Sequence, residues 1–332
     1  MKRATMNDIA IAAGVSRTTV SHALSGAGRV APETRERIRR IADEMGFTPS
    51  ARALALRTGR SGVLAIVNAI SPELAGDVGE MAYFTTAAAA ADGAALEAGY
   101  TLALVPPTAQ ATWLERLDIE GAVVMDPVER DPLAVVLRRR GLPFVTIGRQ
   151  LGDDAGDERC VEAGYDVVTE LALDHLWERG ARRPALLVTA ERRSYGVVAQ
   201  RAYEAWTGAH GVEPLTLTLP EAGAEAVASA AVRELLRDRP ELDAVYTPVD
   251  SFAVGALAAA TDAALPVPGR LRIVTLDGVR ARTCHPQLTA VDDRPGDAAR
   301  AAIRALIEVL RAEPDGRPDA IPDPLLIVRG ST

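Results

Sequence analysis

With 332 residues, 48% hydrophobic but only 4% aromatic, the chain has the length for two or three domains and the composition of an alanine-rich α/β protein. No apolar run approaches the ~18 residues of a membrane span. The start "MKRATMND" lacks a signal-peptide core, and Cys160 and Cys284 stand outside any C-x-x-C, so the expectation is a cytoplasmic protein without a disulfide framework. Residues 1–60 hold 11 Lys and Arg against 5 Asp and Glu, a net of +6, so the formal -8 of the whole leaves -14 on the rest. A basic head on an acidic body points to a polyanionic partner for the head.

The first element is a short helix from Thr5. The Thr5 hydroxyl suits an N-cap and Asp8 the positive end of the helix dipole. Ile9, Ala12 and Ala13 give an apolar side, Ala10 is small enough for close helix approach, and Gly14 ends the run. Ser16 caps a second helix in which Val20 and Leu24, four apart, point inward. Its outward face is left with Arg17, Thr18, Ser21 and His22. A third helix starts at Pro32 in "PETRERIRRIADEMG", with a stripe of Ile38, Ile41, Ala42 and Met45 and a stop at Gly46. Three short helices with a tight turn between the first two are a helix-turn-helix, and the polar outer face and basic excess favour DNA over an ordinary helical hairpin.

"FTPSARALALRTGRSG" follows as a connector. Pro49 and Ser50 suit a helix start and Gly59 a stop, but residues 50–57 are too few for a helix alone in water. The expected division is therefore a head at 1–48, a hinge at 49–60 and a body at 61–332.

From Val63 short apolar runs alternate with helical ones. "VLAIVNAI", "YTLALV", "GAVVMD" and "PFVTIG" suit buried parallel strands, with helices over 80–98 and 132–140. After a Gly- and Asp-rich loop at 148–159 come "PALLVT", "LTLTLP", "AVYTPV" and "LRIVTLD". Two doubly wound parallel-sheet halves in tandem place a ligand cleft at the carboxyl ends of their strands. Asp277 ends one such strand and Asp250 follows another, while Tyr195 and Tyr246 are candidates for aromatic walls; an Asp before a helix is also often only its cap. Four histidines without ligand spacing predict no metal, and the absence of G-x-S-x-G, Walker and H-E-x-x-H patterns predicts no cofactor and no enzyme.

The opening "MNDIAIAAGVSRTTVSHALSGAGRVAPETRERIRRIADEMGFTPSARALALRTGRSG" resembles, without gaps, the head of the LacI/GalR family of bacterial transcriptional regulators. The resemblance implies that the second helix lies in the major groove. Arg17 and Thr18 then fall on the main base-reading positions, and His22 stands where the family usually places Arg. Thr5, Ser16, Thr19, Ser21, Ser25 and Arg29 match phosphate-holding positions. The hinge residues Ser50, Arg52, Ala53, Leu56 and Arg57 fold on the operator, where Leu56 matches a leucine wedged into the minor groove.

For the body the resemblance implies a periplasmic-binding-protein-like fold, with halves of 61–160 plus 291–320 and 161–290 plus 321–332. The helix over 295–311 returns to the first half. Asp277 matches an acceptor of ligand hydroxyls, and Tyr83 and Phe84 fall near an aromatic pair. The chain departs from the pattern at Ala199, where the family carries Arg, at Val249, where an Asn is frequent, and at "VEAGYDVV", which replaces an Asp-rich strand. The expected protein is a repressor that binds a palindromic double-stranded DNA operator as a homodimer, with a sugar or related small-molecule effector in the cleft. It has no membrane partner. The alternative is a sugar-binding or carbohydrate-modifying protein on the same α/β body. The closing "LLIVRGST" carries no leucine heptads, which predicts a dimer and no tetramer.

Overall fold

A computed structural model describes residues 4–25, 28–47, 60–69, 78–105, 111–152, 159–162, 164–312 and 320–332. Ser50, Arg52, Ala53, Leu56 and Arg57 lie outside the described residues. The chain divides into two units, Met1–Ser61 and Gly62–Thr332.

The first unit holds α1 (Met6–Ala13), α2 (Arg17–Ser25) and α3 (Pro32–Glu44). Thr5 and Asp8 cap α1 reciprocally: the Thr5 backbone N–H donates to Asp8 Oδ2 at 2.8 Å, and the Asp8 N–H donates to Thr5 Oγ1 at 3.3 Å. Gly14 closes α1 in the left-handed region. Ser16 caps α2, accepting from the Thr19 N–H at 3.0 Å. Ile9, Ala10, Ala13, Val20, Ala23, Ile38 and Ala42 form the core of this unit. Two details differ from the sequence reading. Ala10 is buried where Ala12 faces solvent, and Met45 lies outside the packed stripe at 38% exposure.

In the second unit, β1 (Val63–Asn68), β2 (Thr101–Val105), β3 (Gly121–Met125), β4 (Phe144–Ile147) and β5 (Cys160–Val161) form a parallel sheet in the order β2-β1-β3-β4-β5. The central strands β1, β3 and β4 are buried apolar runs, as strands covered on both faces require, whereas the edge strand β2 leaves Thr101 and Leu104 exposed. The helices α4 (Val78–Glu97), α5 (Ala111–Leu114) and α6 (Pro132–Arg139) belong to this half.

The second sheet contains β6 (Pro184–Thr189), β7 (Thr216–Leu219), β8 (Ala244–Tyr246), β9 (Arg272–Leu276), β10 (Thr289–Asp292) and β11 (Leu325–Ile327), in the order β11-β10-β9-β8-β6-β7. All neighbours are parallel except β11, which runs antiparallel to β10. Its helices are α7 (Tyr165–Glu178), α8 (Ser194–His210), α9 (Ala224–Asp238), α10 (Asp250–Asp262) and α11 (Val279–Thr283).

The last helix, α12 (Pro295–Arg311), follows the second sheet in the chain but packs on the first. Its Ala298, Ala302, Ile303 and Leu306 join Leu64, Ile66, Val123 and the alanines of α4 in one core. Alanine on both helices lets them approach closely and costs almost no side-chain entropy. The fold is thus a helix-turn-helix unit plus two doubly wound parallel-sheet halves.

Candidate DNA-reading face and interhalf cleft

On α2, Val20 and Ala23 are fully buried while Arg17, Thr18 and His22 are exposed. The helix period alone separates the two faces, so packing against α1 and α3 fixes which side chains look outward. Ser21 is half-buried, Ser25 closes the helix, and Arg29 is exposed beyond it. The polar groups near the helix starts also hold the fold: Thr5 Oγ1 donates to Asp8 Oδ2 at 2.7 Å, and the hydroxyls of Ser16 and Thr19 lie 2.8 Å apart. His22 leans over Gly28, where a Cβ would come within 2.7 Å of the ring Nδ1. Gly28 has φ of +74°, so this position both tolerates the turn and leaves room for the imidazole.

In the second unit the carboxyl ends of the two sheets face each other across a cavity of about 60 Å³. Among its lining residues are Tyr83, Asp126, Tyr165, Tyr195, Glu221 and Asp277. This volume holds a few waters and is far below the ~300 Å³ at the lower end of ligand pockets. The two halves are closed on one another.

Arg193 joins them. It is 1% exposed and stands just before α8. Within its own half its Nε donates to Glu221 Oε1 at 3.0 Å. Across the cleft its Nη1 donates to the backbone carbonyls of Ala69, at 3.1 Å, and Asp126. Asp126, at the end of β3, has a left-handed φ of 46°, a conformation that Asp tolerates better than most residues. Beside this contact the Glu129 N–H donates to Arg192 O at 3.0 Å, and the Arg192 side chain pairs with Glu129 at 2.9 Å. Gly148 of the first half lies so close to Ser194 of the second that a Cβ would approach its Oγ to 2.9 Å.

Burial governs the electrostatics. It pushes the Asp126 carboxyl up to about 7; Arg193 opposes this, and Asp293 and Glu221 add to it. Burial likewise lifts Asp293 to about 6, against the hydrogen bond it accepts from Tyr83. The Tyr83 hydroxyl donates to Asp293 Oδ2 at 2.9 Å and that of Tyr165 at 3.4 Å. Desolvation and the nearby carboxyls raise both phenols well above their ordinary range. Burial alone disfavours the Arg193 charge, but Tyr195, Glu221 and Asp126 more than offset it.

Of the residues anticipated for the cleft, Tyr83, Tyr195, Asp250 and Asp277 line it. Asp250 is the first residue of α10; its Oδ1 accepts from Ser251 Oγ at 3.5 Å and its Oδ2 lies against Gly278. Asp277 is held on both oxygens, Oδ1 by Arg329 at 2.5 Å and Oδ2 by Arg282 at 3.2 Å. Two expectations are corrected. Phe84 is 3% exposed and packs in the core of the first half. Tyr246 is fully buried in the second half, its hydroxyl 3.1 Å from Thr169 Oγ1. Sequence reasoning passed over Asp126, Tyr165, Arg193, Glu221 and Asp293. Asp126 was accessible to the same rule as Asp277, since it ends the run "GAVVMD".

Comparison with known proteins agrees with this architecture. Residues 5–50 match the bacterial regulatory proteins of the lacI family. Residues 173–332 match the periplasmic binding protein-like domain. The chain is 28% identical to the HTH-type transcriptional regulator CelR of Thermobifida fusca, over 94% of this chain and 93% of that protein. It is also 28% identical to the HTH-type transcriptional repressor PurR of Erwinia tasmaniensis, over 99% and 96%. Among solved structures, it is similar to a complex of the transcriptional regulator CelR with cellobiose, with TM-score 0.73 and 25% identity over 99% of this chain and 100% of the other. A lac repressor dimer bound to operator and the anti-inducer ONPF shares the fold, with TM-score 0.78 at 18% identity over 99% of both chains. These relatives are regulators and not enzymes. The chain thus carries a helix-turn-helix domain of the lacI family of bacterial regulatory proteins and a periplasmic binding protein-like domain, and it is similar over nearly its whole length to transcriptional regulators built in the same way.

Proposed function

We propose that the protein is a repressor that binds a palindromic operator as a homodimer and is released or retained by a small-molecule effector in the interhalf cleft. The observation that carries this reading is the face of α2, where Arg17, Thr18 and His22 are exposed over a packed apolar underside. Arg17 is suited to guanine O6/N7 and Thr18 to a thymine methyl or base edge. Ser21, Ser25 and Arg29 extend the contact to phosphates, as do Thr5, Ser16 and Thr19 where their capping bonds allow. Residues 49–60 fold as a hinge on DNA, with Leu56 as the minor-groove wedge and Ser50, Arg52, Ala53 and Arg57 around it.

The effector reading draws support from the relative solved with cellobiose, which makes a sugar or related metabolite the starting class. Entry of such a ligand requires the halves to part at Arg193. A ligand acts only through unequal affinity for the two arrangements, and a hundredfold change in operator affinity needs about 2.7 kcal/mol of coupling.

Selection from random duplexes followed by footprinting tests the proposal. The expected result is an inverted repeat protected across its centre, bound by a sedimenting dimer, with affinity falling steeply as salt rises. Binding by a stable monomer, or an affinity indifferent to salt, overturns it.

A further inference from the structure

The carboxylates around the cleft are not equally compensated. Glu221 is paired with Arg193, and Asp277 with Arg282 and Arg329. Asp126 and Asp293 make no ion pair among the described residues. Ala199, at the position where an arginine was expected, is fully buried and brings no charge. Asp126 is only 9% exposed, it lines the cavity, and among the described residues its Oδ1 has no hydrogen-bond partner. A buried carboxylate oxygen left in this state is costly unless a donor reaches it. Three tyrosines, Tyr83, Tyr165 and Tyr195, line the same cavity, the last two with ring centroids 5.9 Å apart.

We infer that the cleft, as its halves part, offers a subsite for an organic ammonium group, received by the Asp126 carboxylate beside the tyrosines that line the same cavity, with Asp293 hydrogen-bonded to two of them. A carboxylate and aromatic rings together are the chemistry that selects a cation carried on carbon, through a charge-assisted hydrogen bond and cation–π attraction. Asp126 Oδ1 is sealed while the halves are closed, so an ammonium reaches it as they part. A neutral ligand would displace water while leaving the excess negative charge in place; an ammonium offsets it. The burial that lifts both carboxyls toward neutrality is the same desolvation that a bound cation relieves. The effector class this assigns is an amine-bearing metabolite, such as an amino sugar or a small amine. The inference rests on the cleft being the effector site.

The test is thermal unfolding of the full chain in 100 mM methylammonium chloride, against potassium chloride at the same concentration. The expected result is a melting temperature about 1–2 °C higher in methylammonium. The difference should disappear in Asp126→Asn and remain in Asp262→Asn, an exposed position paired with Arg233. Should Asp126→Asn fold poorly, Asp293→Asn serves as a second variant that should shrink the difference. Equal melting in the two salts overturns the subsite, and so does a difference that survives Asp126→Asn. Glucose run in parallel separates the two levels: stabilisation by glucose alone refutes the ammonium assignment while leaving the cleft as a site for a neutral ligand.

Discussion

Replacing Asp126 with Asn should make the protein more stable relative to the parent as pH rises. The folded carboxyl titrates at about 7 against an ordinary 3.8. Between these values the folded state holds a proton that the unfolded state has released. Stability therefore falls as pH climbs through this window, because the unfolded chain binds fewer protons there. Each pH unit is worth 1.36 kcal/mol, so the three-unit gap makes the parent lose about 4 kcal/mol between pH 4 and pH 7 from this group. Asn has the same shape and no proton to lose. The groups facing Asp126, namely Arg193, Asp293 and Glu221, remain in both proteins. Urea unfolding at pH 4.5, 6 and 8, read by circular dichroism, gives the difference directly from the midpoints at constant slope. The variant should gain steadily across the series and level off above pH 7. A difference that stays flat from pH 4.5 to 8 would refute the claim that Asp126 is buried without adequate compensation.

Two further substitutions follow from the geometry. Arg193→Met strands Glu221 as an unpaired buried carboxylate and should cost about 3–5 kcal/mol of stability, much of which Glu221→Gln should restore in the double variant; additive losses in a double-mutant cycle would count against the Arg193–Glu221 pairing. On the head, Arg17→Ala should cost about 1–3 kcal/mol of operator binding and relax preference at one base pair per half-site, whereas Arg29→Ala should weaken all sequences about equally; an unchanged specificity profile for Arg17→Ala would mean that α2 is not the reading helix.

The parts of this molecule that were legible in the sequence are those set by short-range pattern. Ile9 and Ala13, Val20 and Leu24, and Ile38 and Ala42 stand four apart on their helices, and Thr5, Ser16 and Pro32 mark helix starts within a residue of where the chain adopts them. The central strands announced themselves as short apolar runs because both of their faces are covered. Tyr246 was misread for the same reason: in a strand buried on both faces, nearness to the carboxyl end does not say whether a side chain meets the cleft or the helix layer. The charged cluster was out of reach because its members are distant in sequence. Arg193 meets Asp126 across 67 residues, and Tyr83 meets Asp293 across 210. No local period encodes such meetings; they arise only when two separately wound sheets are set face to face. Asp277 was readable as a strand-end carboxylate, but its partner Arg329 comes from beyond the last helix.

The late return of α12 to the first sheet has a consequence for synthesis on the ribosome. The strands of that sheet are complete once Val161 has been made, yet the β3–β5 side of one apolar face, beside the part under α4, stays uncovered until residues 295–311 emerge. At about 5–20 residues per second, those 150 further residues take about 10–30 s. During that interval Val123, Val145 and Ile147 lack partners that shield them in the finished protein. The nascent first half is therefore the stage at which this chain most needs a holding chaperone. A pause in translation between the two sheets would prolong that exposure, whereas a pause after residue 311 has emerged would not.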